Sequence, residues 1–191
     1  MQVCHALLQN AKFHQILLKM DTELAEQTRV VGCLCGGILH RGNYPRKPRC
    51  CPFEVYGDFD WRYSFCCSIC RKRTTPVSVR FLGRRVYLGL TVVLMSAGRT
   101  EATSAVANLS VEINVPALTI QRWRTWWAEN FPLTPLWQAA CARFMPPVEL
   151  SLLPASLIQH FKGTAAESML RFLFFLSPLT VERLVTMNEG C

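Results

Sequence analysis

Two close cysteine pairs, Cys33-Leu34-Cys35 and Cys67-Ser68-Ile69-Cys70, stand 31 residues apart. Pro45, Pro48, Pro52 and four glycines lie within the segment they bound, which excludes a long helix there and predicts short strands and turns. The second pair has the C-x-x-C spacing, in which a tight turn brings two thiolates to one side of a tetrahedral ion. The first pair is one residue shorter. Gly36 and Gly37 behind it let backbone N–H groups turn toward sulfur. Together the pairs predict a site for structural Zn2+ with Cys33, Cys35, Cys67 and Cys70 as ligands. The gap between them exceeds the roughly 15–20 residues of a compact ribbon, so a long excursion is expected. Cys50, Cys51, Cys66 and His40 are available as substitute ligands. The competing expectation is reduced, buried thiols, as for Cys4, Cys141 and Cys191.

The charge of the chain is concentrated in this same segment. Of the net charge of +8, the stretch from Arg41 to Arg85 carries eleven Lys or Arg against Glu54, Asp58 and Asp60. The other residues hold ten basic and ten acidic side chains and cancel. A focused excess points to a polyanionic partner, with Arg46, Lys47, Arg49, Arg71, Lys72 and Arg73 as the phosphate contacts. The alternative is a solvated basic face that only aids solubility. With 191 residues, half of them hydrophobic and 18% charged, the chain can bury a core and is not globally disordered.

Helical patterning brackets the cysteine segment. Residues 2–30 carry Val3, Leu7, Ile16, Leu17 and Met20 loosely on one face, with Asp21 placed to cap a second short helix. "TPVSVRFLG" (75–83) alternates Val77, Val79 and Phe81 and predicts a strand. Helices are expected over 86–97, 101–113, 119–131, 155–163 and 164–177, the last ended by Pro178. The expected fold is α+β: a small zinc ribbon of short antiparallel strands joined to a mainly helical region. Its expected organisation is a helical lead at 1–30, a basic ribbon at 31–82, a helical unit at 83–131 and a C-terminal helical segment at 132–191.

"EATSAVANLSVEINVPALTIQRWRTWWAENF" (101–131) has the form of a helix-turn-helix. Ala102, Val106 and Leu109 give the first helix an inner face, and "INVPAL" supplies the turn. Thr119 would cap the second helix, and Ile120, Trp123 and Trp127 would dock it on the body. That leaves Gln121, Arg122 and Arg124 free to approach base edges and phosphates in a major groove. The bland alternative is an aromatic core helix with a solvated face.

The order of these parts resembles the N-terminal DNA-binding region of insertion-sequence transposases, in which a zinc ribbon ending in C-x-x-C and Arg/Lys precedes a helix-turn-helix. The matching residues are Cys33 to Gly37, "CSICRKRTTPVSVRF" at 67–81 and "TIQRWRTWW" at 119–127. The resemblance implies a zinc-dependent DNA-binding protein related to mobile-element recognition. It does not extend to the metal-binding carboxylate triad of that family's catalytic domain, because no Asp follows Asp60.

Other chemistry finds little foothold. There is no P-loop, no G-x-G-x-x-G and no G-x-S-x-G, and the four histidines are scattered. No enzyme and no small-molecule substrate is expected. A secretory leader is not expected because the first basic residue is Lys12 and polar residues break the early apolar run. No apolar stretch reaches membrane-span length, so the expected location is the cytoplasm, without a membrane partner. Double-stranded DNA is the expected partner. The alternatives are an RNA-binding ribbon stacking bases on Tyr44, Trp61 and Tyr63, or a protein-interaction module. In the latter case the apolar "SMLRFLFFLSPL", with Phe172, Phe174 and Phe175, would form a homodimer or partner surface.

Overall fold

A computed structural model describes residues 6–49, 51–82, 87–98 and 115–181. After a short helical turn at 6–8, helix α1 (Ala11–Val31) leads to the first cysteine pair. The Asn10 side chain caps it by accepting from the Phe13 N–H, and Gly32, at φ 77°, ends it. Its inward stripe is Phe13, His14, Leu17, Asp21 and Ala25, the four-residue recurrence of a helix packed on one side.

Asp21 does not cap a second helix. It lies inside the uninterrupted α1, almost fully buried, and its carboxylate accepts from Arg80 Nε at 2.7 Å, Ser78 Oγ at 2.6 Å and the Val79 N–H at 2.7 Å. This also explains why 75–82 does not form the expected strand. The alternation places Val79 and Phe81 in the core, but Ser78 and Arg80 on the other face are buried as well, drawn to Asp21. Local donors are met by one carboxylate and the Ser78 hydroxyl instead of a ladder, and only an isolated bridge, Phe81 to Leu88, remains.

Five short strands follow α1: β1 (Leu39–Arg41), β2 (Tyr44–Pro45), β3 (Trp61–Arg62), β4 (Phe65–Cys67) and β5 (Arg73–Thr74). They form an antiparallel sheet in the order β1-β4-β5 and a separate β2-β3 pair. The register sets Leu39 opposite Cys67, His40 opposite Cys66, and Cys66 opposite Arg73. The sheet covers a small core of Ala25, Leu39, Tyr63, Phe65 and Cys67. The excursion between the cysteine pairs carries a one-turn helix, α2 (Tyr56–Phe59), and returns Val55 and Phe59 to the main core.

That main core is built mostly by the helical region, with Phe13 and Leu17 of α1 and Val79 and Phe81 joining it. Helix α3 (Gly89–Ala97) is buried from Gly89 through Ser96 and has almost no polar side. Packed against it are α4 (Ala117–Thr125), whose backbone continues as a wider turn over Trp126–Asn130, and α7 (Ala165–Leu176). Between these two lie α5 (Pro135–Ala140) and α6 (Ala155–Ile158). Trp123, Trp127, Phe131 and Phe172 are its largest wholly buried aromatics alongside Phe13, Phe59 and Phe81. Thr164 and Glu167 form a reciprocal capping box at the start of α7.

Three sequence expectations are corrected in this half. Thr119 is not a cap, because the helix already begins at Ala117 with Pro116 as its flanking residue, and the Thr119 N–H is spent on Pro116 O. The helix expected over 155–163 is a single turn, since His160 and Phe161 donate three residues back and the chain leaves the α register before Gly163. Phe172 is wholly buried and offers no partner surface, whereas Phe174 is half-exposed. The first helix expected for the helix-turn-helix, 101–113, lies outside the described residues. Among the described residues, no helix is long and apolar enough to cross a membrane.

Candidate metal centre

Each cysteine pair sits on a turn that follows from its local sequence. At the first, Gly32 ends α1 and Gly36 adopts φ 80°. The Gly36 N–H donates to Cys33 O at 2.8 Å and the Cys33 N–H donates to Gly37 O at 3.2 Å, folding Leu34 outward. At the second, Cys67 ends β4, and the Arg71 N–H reaches back to Cys67 O with Arg71 at φ 60°. The Ile69 N–H points at Cys67 Sγ at 3.4 Å. The two turns are locked together by the Ser68 N–H on Ile38 O at 2.9 Å and the Ile38 N–H on Ser68 Oγ at 3.1 Å. Gly37 is required by contact: a Cβ there would lie 2.4 Å from Cys67 Sγ.

The four sulfurs of Cys33, Cys35, Cys67 and Cys70 consequently lie within 4.8 Å of one another. The sulfur–sulfur separations are 3.5 Å for Cys33–Cys70, 3.5 Å for Cys33–Cys35 and 3.4 Å for Cys35–Cys67. A tetrahedral ion with metal–sulfur bonds of about 2.3 Å sets its sulfurs about 3.8 Å apart, whereas a disulfide needs about 2.05 Å. The tetrad is therefore sized to hold a metal ion, and its members are free thiols.

Its electrostatics agree. Burial opposes ionisation of Cys67, but the N–H groups of Cys70 and Ile69 and the neighbouring thiols outweigh it and bring that thiol down to about 6. The Gly37 backbone donor lowers Cys35. Cys70 goes the other way, up to about 12: the Lys72 backbone donor favours its thiolate, but burial and the three neighbouring sulfurs prevail against it. Without a cation, four thiolates cannot share this space; a divalent ion at the centre removes the conflict.

The alternative ligands stand apart. Cys66 Sγ faces the backbone oxygens of Cys67 and Arg71, His40 is exposed on β1, and Cys51 packs against the main core. Cys50 lies outside the described residues. No acid belongs to the tetrad, and its four cysteines would together fill a tetrahedral coordination sphere.

The expected phosphate contacts divide sharply. Lys47, Arg49, Arg71, Lys72 and Arg73 are exposed. Arg71 and Lys72 leave the second cysteine turn directly and have no ion pair among the described residues. Arg73 is partly committed, donating to Gly42 O at 2.8 Å and to Ser64 Oγ, over the Tyr44 ring. Arg49 donates to the Tyr87 hydroxyl. Arg46 is buried over the Phe81 ring and is not at the surface. Arg62 and Arg80 are buried too, so the concentration of charge in the sequence overstates the exposed charge. Sequence patterning missed this; the acid that draws Arg80 inward, Asp21, lies 59 residues earlier in a different element.

On α4, Ile120 and Trp123 face the core while Gln121 and Arg122 are exposed, as the periodicity predicts. Arg124 is half-buried and its guanidinium donates to Gly98 O at 2.8 Å, tying α4 to the end of α3. The proposed stacking residues are less available: the Tyr63 hydroxyl bonds Thr22 at 2.8 Å, Trp61 packs edge-on against Tyr63, and the Arg73 guanidinium lies over Tyr44.

Compared with known proteins, the chain matches no family model, no curated protein and no solved structure.

Proposed function

We propose that this chain is a non-catalytic, zinc-dependent DNA-binding protein of the kind that recognises mobile-element DNA. The single observation that carries the proposal is the closed cysteine tetrad whose second turn projects Arg71 and Lys72 into solvent with no ion-pair partner among the described residues. Zn2+ suits four thiolates at this spacing and would fix both turns without taking part in any reaction. Arg71, Lys72, Lys47 and Arg49 would meet phosphates and supply most of the affinity, while Gln121 and Arg122 on the exposed face of α4 would supply sequence preference. RNA binding has less support, because Tyr44, Trp61 and Tyr63 are engaged within the protein.

The test is a duplex-DNA titration of the zinc-loaded chain at several salt concentrations. Four phosphate contacts predict that log K falls against log salt with a slope of roughly −4. Neutralising Arg71 and Lys72 as glutamines should reduce that slope by about two. Absence of binding at low salt, or a slope indifferent to those two residues, overturns the proposal.

A further inference from the structure

The surface around the cysteine tetrad is apolar as well as basic. Val30 and Val31 at the close of α1, Leu34 and Ile38 in the first cysteine turn, and Ile69 in the second are exposed by 80%, 83%, 108%, 68% and 67%. The turns that carry Leu34, Ile38 and Ile69 are bonded to one another and converge on one cluster of sulfurs, and Val31 is only two residues from Cys33. The five side chains therefore flank the cysteine tetrad as an aliphatic cap. Exposed aliphatic side chains gathered in this way mark interaction sites on proteins. Leu34 is more exposed than in an extended peptide, so it stands at the apex of a protrusion and not in a groove.

The rim of the cap is cationic. Arg29 adjoins Val30, Arg41 follows Ile38 on β1, and Arg71 and Lys72 follow the second turn. The one carboxylate among them, Glu26, is already bonded to Arg29 at 2.7 Å and Arg41 at 3.2 Å. An occupant must thus offer apolar depth inside an anionic border. Duplex DNA offers the anions without the apolar depth. A second copy of this chain would bring the same cationic rim against itself.

We propose that the cap is a peripheral membrane-contact site, inserting Leu34 and its aliphatic neighbours into the interface of an anionic bilayer while Arg29, Arg41, Arg71 and Lys72 meet lipid headgroups. Interfacial binding of this type scales with the apolar area buried plus attraction to anionic lipid, and a protruding tip needs no complementary shape. The metal centre would serve as its rigid base, holding exposed aliphatics that free loops would collapse together. This goes beyond DNA binding and does not rest on it, although both draw on Arg71 and Lys72.

The experiment is co-sedimentation of the zinc-loaded full chain with vesicles of phosphatidylcholine containing phosphatidylglycerol, against phosphatidylcholine alone. Binding is expected to the anionic vesicles, weakened about tenfold or more by Leu34→Ser with Ile69→Ser. Val30→Ser with Val31→Ser, which leaves both cysteine turns untouched, should weaken it in the same direction. Binding of Co2+ by each variant verifies the fold, and duplex affinity should be unchanged by all four substitutions. Failure to sediment with anionic vesicles overturns the proposal, as does sedimentation that ignores the serine substitutions, which would mean charge attraction alone. Self-association of the chain in ultracentrifugation, dispersed by the same serines, would assign the cap to a second copy and overturn it equally. Since those serines spare the cationic rim, loss of lipid binding and loss of DNA binding are separable.

Discussion

The ribbon half and the helical half reach order by different physics. In the helical half, α3 is buried on every side, and Trp123, Trp127, Phe131 and Phe172 pack around it in a continuous apolar core. In the ribbon half, strands of two or three residues enclose a core of only Ala25, Leu39, Tyr63, Phe65 and Cys67. A core that small contributes little against the entropy of ordering the strands, although the excursion itself is anchored in the main core by Val55 and Phe59, and small folds of this kind depend on a metal or a covalent tie. The tetrad ties the ribbon together, and polar contacts join it to α1: the exposed Arg41–Glu26 pair, the Thr22–Tyr63 hydrogen bond and, as the main junction, the buried Asp21–Arg80 pair.

Metal removal gives the largest expected effect, because the binding free energy of a structural zinc site, about 10–16 kcal/mol, is also folding free energy. Chelation, or Cys67→Ser, should unfold the ribbon and leave the helical half standing. Amide exchange read segment by segment checks this: protection should vanish over 33–45 and 61–74 and persist over 89–97 and 165–176. Uniform loss across both halves would show that they form one cooperative unit, and no loss anywhere would show that the tetrad is not a metal site.

Next in size is the junction itself. Arg80 and Asp21 are buried together at 2.7 Å, with the guanidinium among the rings of Phe59, Trp61, Tyr63 and Phe81. Removing one member leaves a buried charge without its partner, at a cost of about 3–5 kcal/mol. Asp21→Ala should lower stability to denaturant by that amount. Asp21→Leu combined with Arg80→Met should recover much of it, because the apolar pair strands no charge. If single and double variants lose equally, the junction acts through Ser78 and the Val79 N–H and not through the ion pair.

How far the sequence announced this arrangement differs between the halves. The cysteine tetrad was legible because ligand spacing is a local property: two short turns, glycines beside one of them, and a fixed set of sulfur atoms. The buried face of α4 was legible for the same reason, since Ile120 and Trp123 follow helical periodicity. Asp21 and 75–83 were misread because their partners are remote. Aspartate beside Thr22 is ordinarily a cap, and alternating Val77, Val79 and Phe81 is ordinarily a strand; a carboxylate that satisfies Arg80, Ser78 and Val79 at once overrides both local preferences. The burial of Arg46 and Arg80 was hidden in the same way, because a charge count carries no information about aromatic walls.

The smallest expected effect lies on the helical side of α1 and sharpens the contrast, because it should be felt by the apolar core and not by the metal. His14 is wholly buried, between Phe13 and Phe59. Its Nδ1–H donates to Asn10 O at 3.0 Å, and Nε2 is buried without a hydrogen-bond partner. Burial pushes the imidazole below its usual value of 6.5, against a smaller opposing contribution from the Asn10 carbonyl. The folded state therefore binds fewer protons than the unfolded chain. Stability from this site is fully present above about pH 6.5 and is lost as pH falls below it toward the depressed value. Denaturant midpoints should decline between neutral pH and about pH 5, and His14→Phe should flatten the decline in this window. The comparison needs metal-saturated protein at each pH, followed by near-ultraviolet dichroism of the core tryptophans. A decline that survives His14→Phe would move the acid sensitivity to the thiolates of the ribbon, whose protonation releases the metal, and would make the ribbon the half that responds to pH.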